Sequence, residues 1–288
     1  MDEGKAVMKS ISEAAREVVP ESDRYSRLLY MADLLRGGII LDALRSLGIA
    51  KGSSGLDAGC GIGTITLFAV KELAREGHAT GIDISPGMVS CARAIAERCA
   101  LSERADFSPG DIKKLPFDDA CFDWVISVDC ALYPSDPSPV ETVLELARVL
   151  KPGGILAVLG WSYQQLLPGH AGLEARLNTV SSLVTHGGGP DSSFMRSLSW
   201  LSRAGLEECR GRTFIGEAQA PLGPETVEAL HEFFDMLWGE AKGRVSEGDW
   251  SEYERLCSRE SSDYILGLPG YYAFFAYTMF SARKPLWQ

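Results

Sequence analysis

The sequence lacks the signatures of several protein classes. Its seven cysteines are odd in number and scattered, with no CxxC pair, whereas a zinc site or a disulfide framework needs closer and more regular spacing. No apolar run reaches the roughly 18 residues of a membrane-spanning helix. The charged, amphipathic N-terminus has no apolar segment typical of a secretory signal. We therefore expect no metal site, no membrane partner and reduced thiols in a cytoplasmic protein.

Positive charge is also scarce. The chain has 288 residues, with 28 Lys and Arg against 39 Asp and Glu, and its formal net charge is -11. A dedicated nucleic-acid binder needs basic residues to neutralise phosphates, so this balance argues against a nucleic-acid partner. Apolar residues make up 45% of the chain, which is ordinary for a globular protein and excludes disorder.

Short apolar runs alternate with helical patterns through the middle of the chain. The runs, which we interpret as buried strands, are 55–58, 78–82, 105–108, 124–128 and 155–160, and the helical stretches are 65–75, 88–100 and 140–150. Two later strands are predicted over 206–217 and 271–282. This order predicts an α/β fold, with a doubly wound, mostly parallel seven-stranded sheet and helices on both faces.

Helical spacing of apolar residues dominates outside this region. Residues 21–47 show it, and Gly37-Gly38 is expected to split them into two helices. Residues 164–184 and 225–259 are also predicted to be mostly helical, with breaks at 186–190 and near 243–248. These helical parts are expected to cover the sheet.

The sharpest motif is a glycine-rich loop between a predicted strand and a helix. Asp57-Ala58-Gly59-Cys60-Gly61-Ile62-Gly63 has GxGxG spacing after an acid, not the GxGxxG of nicotinamide-dependent enzymes. Glycines there permit a tight turn and close approach of the backbone to a cofactor. The Asp57 carboxylate would repel a phosphate and suits a cationic ligand that carries an amino group.

Two more acids follow the next two strands. Asp83 closes the second strand, where a carboxylate can accept hydrogen bonds from both ribose hydroxyls. Asp111 follows the third strand, where it can accept one from an adenine amino group. Each also has a purely structural interpretation, Asp83 as a helix N-cap and Asp111 as a turn acid. Their combined placement favours a cofactor bound at the carboxyl ends of the strands.

From residue 56 to residue 159 the chain resembles the class I (Rossmann-like) S-adenosylmethionine-dependent methyltransferases. The resemblance rests on the loop at 56–64 and on segments 81–88, 110–117, 122–127 and 147–154. It implies S-adenosylmethionine as the cofactor and in-line transfer of its methyl group to a nucleophile. The cofactor-binding residues that the motifs and the resemblance together indicate are Asp57, Gly59, Cys60, Gly61, Gly63, Asp83, Ile84, Asp111, Ile112 and Asp129.

The segment after the fourth strand is expected to face the methyl acceptor. Val128-Asp129-Cys130-Ala131-Leu132-Tyr133-Pro134 departs from the Asn/Asp-Pro-Pro-Tyr/Phe pattern of enzymes that methylate amino groups of bases. Asp129 and Tyr133 are candidate catalytic residues that orient the acceptor or the cofactor. The alternative for Asp129 is a loop-capping acid, and the alternative for Tyr133 is a packed aromatic ring. No histidine is an evident general base, although His170 and His231 lie in parts that could cover the pocket.

These features predict an organisation and a function. The predicted parts are an N-terminal helical cap (1–50), an S-adenosylmethionine-binding core (51–162), the end of the core with a helical lid segment (163–222), a helical insertion or lid (223–269) and a final strand (270–288). Aromatic residues of the insertion are either core or the wall of an apolar pocket. We expect a methyltransferase, monomeric or homodimeric, for a small and possibly hydrophobic or aromatic acceptor. The alternatives are a protein or nucleic-acid methyltransferase and a catalytically silent cofactor-binding protein.

Overall fold

A seven-stranded sheet forms the centre of the computed structural model, which describes residues 3–20, 23–185 and 193–286. The strands are β1 (Ser54–Ala58), β2 (His78–Asp83), β3 (Ala105–Pro109), β4 (Phe122–Val128), β5 (Leu150–Gln165), β6 (Glu207–Gln219) and β7 (Tyr272–Arg283). Their order is β3-β2-β1-β4-β5-β7-β6. β7 is antiparallel to both of its neighbours, and the other neighbouring strands are parallel. The predicted fold class is confirmed.

Helices cover both faces of this sheet. They are α1 (Glu3–Val18), α2 (Arg24–Arg45), α3 (Thr64–Phe68), α4 (Pro86–Arg98), α5 (Pro139–Arg148), α6 (Ala171–Thr185), α7 (Ser197–Arg203), α8 (Pro224–Trp238) and α9 (Glu247–Cys257). Side chains alternate along β4, so Trp124 and Val125 belong to different apolar clusters. α5 and α7 pack into the cluster of Val125, and the other helices pack into that of Trp124.

The helix α2 continues through Gly37-Gly38, so the predicted break there is wrong. α1 packs against α2 at this point, and a Cβ atom on Gly37 would lie 2.7 Å from Cγ of Met8. The glycine permits close approach of the two helices. Local helix propensity cannot report this effect, because the neighbouring helix overrides the intrinsic cost of glycine.

Two other elements differ from the prediction in ways that shape the site. β5 extends to Gln165 because its pairing with β7 continues as far as Phe274, so the helix predicted over 164–184 begins only at Ala171. α3 continues as a π-helical turn over Ala69–Leu73. The break predicted at 186–190 lies outside the described residues. In the described ranges, no helix is long and apolar enough to cross a membrane.

Candidate active site

The carboxyl ends of β1, β2 and β4 meet at a cavity of about 420 Å³, which we call the loop cavity. Its lining includes Asp57, Gly59, Cys60, Gly61, Asp83, Ile84 and Asp129. A larger cavity of about 720 Å³ lies between α1, α2 and α8, away from these strand ends. Ligands of open α/β sheets bind at the carboxyl edge, so the loop cavity is the candidate site.

The glycine loop brings its backbone up to this cavity. Gly59 and Gly61 have φ angles of 82° and 53°, in the left-handed region that glycine adopts without steric cost. A Cβ atom on Gly59 would lie 2.1 Å from Sγ of Cys130. Gly63 is different, because it precedes α3 and packs beneath the ring of Phe107. Two of the three predicted glycines therefore line the cavity, and the third supports the helix.

Asp83 is held rigidly at the end of β2. Its Oδ2 accepts a hydrogen bond from the Gly61 amide at 2.9 Å, and its Oδ1 accepts one from the Ser85 amide at 2.9 Å. Ser85, not Asp83, is the N-cap of α4. Each carboxylate oxygen keeps further acceptor capacity. The side chain can thus still accept two hydroxyl groups, and the neighbouring Ile84, which is 76% exposed, adds an apolar surface.

Asp57 lies deeper, at the floor of the loop cavity. Asp57 is 1% exposed, and its Oδ2 accepts a hydrogen bond from the Thr66 hydroxyl at 2.6 Å. Burial raises the pKa of Asp57 to about 7. A cation in the cavity would favour the ionised form of this carboxyl group.

Asp111 and Ile112 do not line the loop cavity in the described part of the chain. Asp111 is exposed, and its Oδ1 accepts a hydrogen bond from the Lys113 amide at 2.8 Å within a turn. This is the turn role that the sequence left open. A contact of either residue with an adenine ring stays a prediction.

A second cavity of about 610 Å³, the aromatic cavity, adjoins the first. Both are lined by Tyr25, Leu29, Arg36 and Asp129. The remaining walls come from α2, from the segment after β4, from the extended end of β5, from α6, from residues 193–195, from α8 and from Tyr277 of β7. Helices from the two ends of the chain therefore close a space beside the sheet edge.

One wall of the aromatic cavity is a stack of rings centred on Trp161. Its ring stacks on Phe275 at 5.0 Å and on Phe233 at 5.2 Å between centroids. On α8, Phe233 and Met236 line the cavity, whereas Trp238 is fully buried in the core. Both interpretations of the aromatic insertion therefore apply, each to a different side of α8.

Arg36 stands at the boundary of the two cavities and holds Asp129. Its guanidinium pairs with Oδ2 of Asp129 and donates to Oδ1 of Asp33 at 3.0 Å. The Tyr277 hydroxyl donates to the same Asp129 oxygen at 2.7 Å, and the Trp161 amide donates to Oδ1 at 3.1 Å. Asp129 is thus a fixed anchor between α2, β5 and β7.

The sequence analysis missed Arg36 and Asp33. They lie far along the chain from the motifs, and Arg36 and Asp129 are separated by 93 positions. The signal available was a charged pair, three positions apart, on a helix that is otherwise apolar on that face. Such a pair is seldom buried without a partner elsewhere.

The boundary between the cavities offers no strong base among the described residues. Asp129 is paired with a guanidinium, and burial raises the pKa of Cys130 to about 12. Burial also raises the pKa of Tyr133, which lines the aromatic cavity and packs edge-on against Phe194 at 5.5 Å. His170 and His231 line neither cavity; they contact Glu252 and Tyr264.

Comparison with known proteins identifies what this arrangement is similar to. Residues 56–154 match a family model described as a methyltransferase domain. The chain is 33% identical over 113 residues to norajmaline N-methyltransferase of Rauvolfia serpentina, covering 39% of this chain and 37% of that protein. It is 38% identical over 116 residues to sterol 24-C-methyltransferase ERG6B of Gibberella zeae, covering 40% and 30%. These matches span about a third of each relative's length.

A solved structure matches over more of the chain. It is phosphoethanolamine N-methyltransferase 2 of Haemonchus contortus, in complex with S-adenosyl-L-methionine. The match has a TM-score of 0.53 and 17% identity, and it covers 91% of this chain and 59% of that one. At this identity the likeness concerns the fold alone.

Proposed function

We propose that this chain, which belongs to the class I (Rossmann-like) S-adenosylmethionine-dependent methyltransferase family, transfers a methyl group from S-adenosylmethionine to a small apolar acceptor. The observation that carries the proposal is the pair of adjoining cavities. One has the glycine loop and Asp83, the other has aromatic walls, and they share the boundary at Arg36 and Asp129. Transfer between two bound molecules requires such a contact between their sites.

The loop cavity supports this choice of cofactor. Asp83 is proposed to accept the two ribose hydroxyls, and Ile84 to contact one face of the adenine. Asp111 and Ile112 are proposed for the other contacts of that base. Asp57 is a buried acid suited to a cationic ligand. When bound, the cofactor supplies a methyl group on a positively charged sulfur atom.

The contribution of the chain itself is orientation rather than acid–base chemistry. Holding two reactants in near-attack geometry can supply about 7–11 kcal/mol of the barrier. Because the described residues at the boundary include no strong base, the acceptor must be nucleophilic without prior loss of a proton to the protein. The charged lining residues are Asp57, Asp83 and Asp129 against Arg36. This acidic balance suits a cationic cofactor and disfavours an anionic acceptor.

The aromatic cavity favours a small molecule over a macromolecular acceptor. Its walls of Trp161, Phe233 and Tyr277 suit an uncharged ring system. The two relatives are named for an alkaloid and a sterol reaction, which agrees with this acceptor class. A protein or nucleic-acid acceptor would need an open, more polar groove, and a basic one for nucleic acid.

The predicted division of the chain assigns each part a role in this proposal. The cap (1–50) and the lid segments (163–222 and 223–269) supply α2, α6 and α8, whereas the core (51–162) supplies the strand ends and the glycine loop of the loop cavity. We propose action in the cytoplasm, because all seven cysteines are free thiols. We also propose that the protein acts as a monomer or homodimer.

Binding of the cofactor is the first test. Calorimetry with S-adenosylhomocysteine should show micromolar or tighter affinity for the wild type. Asp83→Ala removes a charged acceptor of two hydroxyl groups, so we expect at least a tenfold loss, about 1.4 kcal/mol or more. Asp106→Ala on β3, an acid 73% exposed, is the matched control and should bind normally. Absence of binding to the wild type would refute the proposal.

Methyl transfer is the second arm of this test. With labelled S-adenosylmethionine, we expect label on uncharged aromatic or terpenoid compounds. Transfer only to charged metabolites, peptides or nucleic acids would contradict the proposed acceptor class. A single turnover on any acceptor would exclude a catalytically silent cofactor-binding protein.

A further inference from the structure

A chain of hydrogen bonds fixes two side-chain amides in the wall of the aromatic cavity. Trp161 Nε1 donates to Oε1 of Gln164 at 2.6 Å, and Gln164 Nε2 donates to Oδ1 of Asn178 at 2.8 Å. Trp238 Nε1 donates to the same Asn178 oxygen at 2.7 Å. An indole N–H can only donate, so each amide must present its oxygen to an indole. The orientation of both amides follows without ambiguity.

This orientation leaves the amide nitrogen of Asn178 without a partner among the described residues. In that same part of the chain, the buried side-chain polar atoms that lack a partner are Ser12 Oγ and Trp250 Nε1. Nδ2 of Asn178 is not among them, so it touches open space rather than being sealed in protein. Asn178 lines the aromatic cavity, and we take its Nδ2 to face this cavity.

Two neighbouring polar side chains of this wall, Ser162 and Gln164, are already engaged. The Ser162 hydroxyl donates to the Ala276 carbonyl at 3.1 Å and accepts from Thr278 at 2.9 Å. Gln164 uses its oxygen and its nitrogen within the chain described above. Asn178 is therefore a rigid, uncharged donor set in an apolar surface, beside the ring of Trp161.

We infer that Asn178 determines acceptor specificity by donating from Nδ2 to an uncharged oxygen, such as a carbonyl, of an otherwise apolar acceptor. This inference rests on the proposed function. A site with a fixed donor rejects an analogue that lacks the matching acceptor, because the buried donor then loses its hydrogen bonds. The two charged residues that line this cavity, Arg36 and Asp129, pair with each other, so its described lining offers no unpaired cation to a carboxylate. Methylation itself takes place at another atom of the acceptor, next to the loop cavity.

Two probes that differ in one oxygen test this inference, 2-acetylnaphthalene and 2-ethylnaphthalene. Their binding to the full chain, saturated with S-adenosylhomocysteine, can be followed by tryptophan fluorescence, since Trp161 lies in the wall. We expect the wild type to prefer the ketone about tenfold. Asn178→Leu should bind both probes with similar affinity, because the donor is gone.

A second variant guards against loss of folding. Asn178→Asp keeps an oxygen for Trp238 and Gln164 but replaces the free donor with an acceptor, so it should favour the hydrocarbon over the ketone. Both variants should bind S-adenosylhomocysteine as the wild type does, because Asn178 does not line the loop cavity. A merely structural role would lower the affinity for both probes equally.

The outcomes separate this inference from the proposed function. If the wild type binds neither probe, binds both equally, or keeps its preference in both variants, the role of Asn178 is overturned. Normal binding of S-adenosylhomocysteine would then leave the proposed function standing. A ketone preference in a protein that never binds the cofactor would refute the methyltransferase proposal instead.

Discussion

At the residue scale, Asp57 shows how burial changes the chemistry of a motif residue. Its carboxyl group accepts a hydrogen bond from the Thr66 hydroxyl, and burial raises its pKa to about 7. The ordinary pKa of an aspartate in an unfolded chain is about 3.9. The folded state therefore holds a proton that the unfolded state has already released, and folding becomes less favourable as pH rises between these two values.

Replacement of Asp57 by a residue that does not titrate should remove this decrease of stability with pH. Below about pH 4 both states are protonated, so Asp57→Asn should change stability little through ionisation. From pH 4 to pH 7 the variant should gain up to about 4 kcal/mol on the wild type, at about 1.4 kcal/mol per pH unit. The asparagine oxygen still accepts from Thr66. Urea unfolding at several pH values measures the difference, and a difference constant from pH 4 to 8 would contradict the assignment.

At the scale of single elements, the continuous helix α2 differs from the break that its local sequence predicts. Two consecutive glycines predict a break, yet the helix continues because it packs against α1. Glycine at position 37 leaves the space that Met8 of α1 occupies. Alanine has a helix propensity better than that of glycine by about 1 kcal/mol. In this place, however, its Cβ would meet Met8, which is only 4% exposed and has little room to move.

We therefore expect Gly37→Ala to destabilise the protein by about 1–3 kcal/mol, the usual cost of overpacking. Thermal or urea unfolding provides the measurement. The matched control is the double variant Met8→Ala/Gly37→Ala, in which the added methyl group occupies space that methionine vacates. Its destabilisation should be smaller than the sum of the two single changes. A stabilised Gly37→Ala would show that propensity, not packing, governs this site.

At the scale of the whole molecule, Arg36 connects the helix α2 to the end of β4. Its guanidinium links Asp33 on α2 with Asp129 after β4, and Tyr277 on β7 completes the network. The side chain of Asp33 is fully buried, and that of Arg36 is 9% exposed. Removing the cation would leave buried carboxylates without compensation, which is more costly than losing a surface pair.

Arg36→Met should accordingly lower the free energy of unfolding by about 3–5 kcal/mol near neutral pH. The loss should be smaller at pH 4, because burial raises the pKa of Asp33 and the uncompensated carboxyl can then bind a proton. Arg75→Met removes an arginine whose side chain is 57% exposed and should cost less than about 1 kcal/mol. Equal losses in the two variants, measured by urea unfolding, would count against a connecting role for Arg36.

The central sheet, the glycine loop and the acids at the strand ends are predictable from the sequence. Those features are local, because a strand, its tight turn and the next helix occupy neighbouring positions in the chain, and period and turn chemistry are legible there. The family resemblance of residues 56–159 depends on the same local motifs. The sequence also predicts the helices α6, α8 and α9, but not the surfaces that they face.

The rest of the site depends on contacts that form only in the tertiary structure. Asp129 proved to be an anchor for Arg36, the break in α2 disappeared under α1, and the aromatic stripe of α8 divided between core and cavity. Trp238 and Asn178 lie 60 positions apart, yet their contact orients the Asn178 amide in the wall of the aromatic cavity. The physical reason is common to these cases: each depends on contacts between distant segments, which no local pattern encodes.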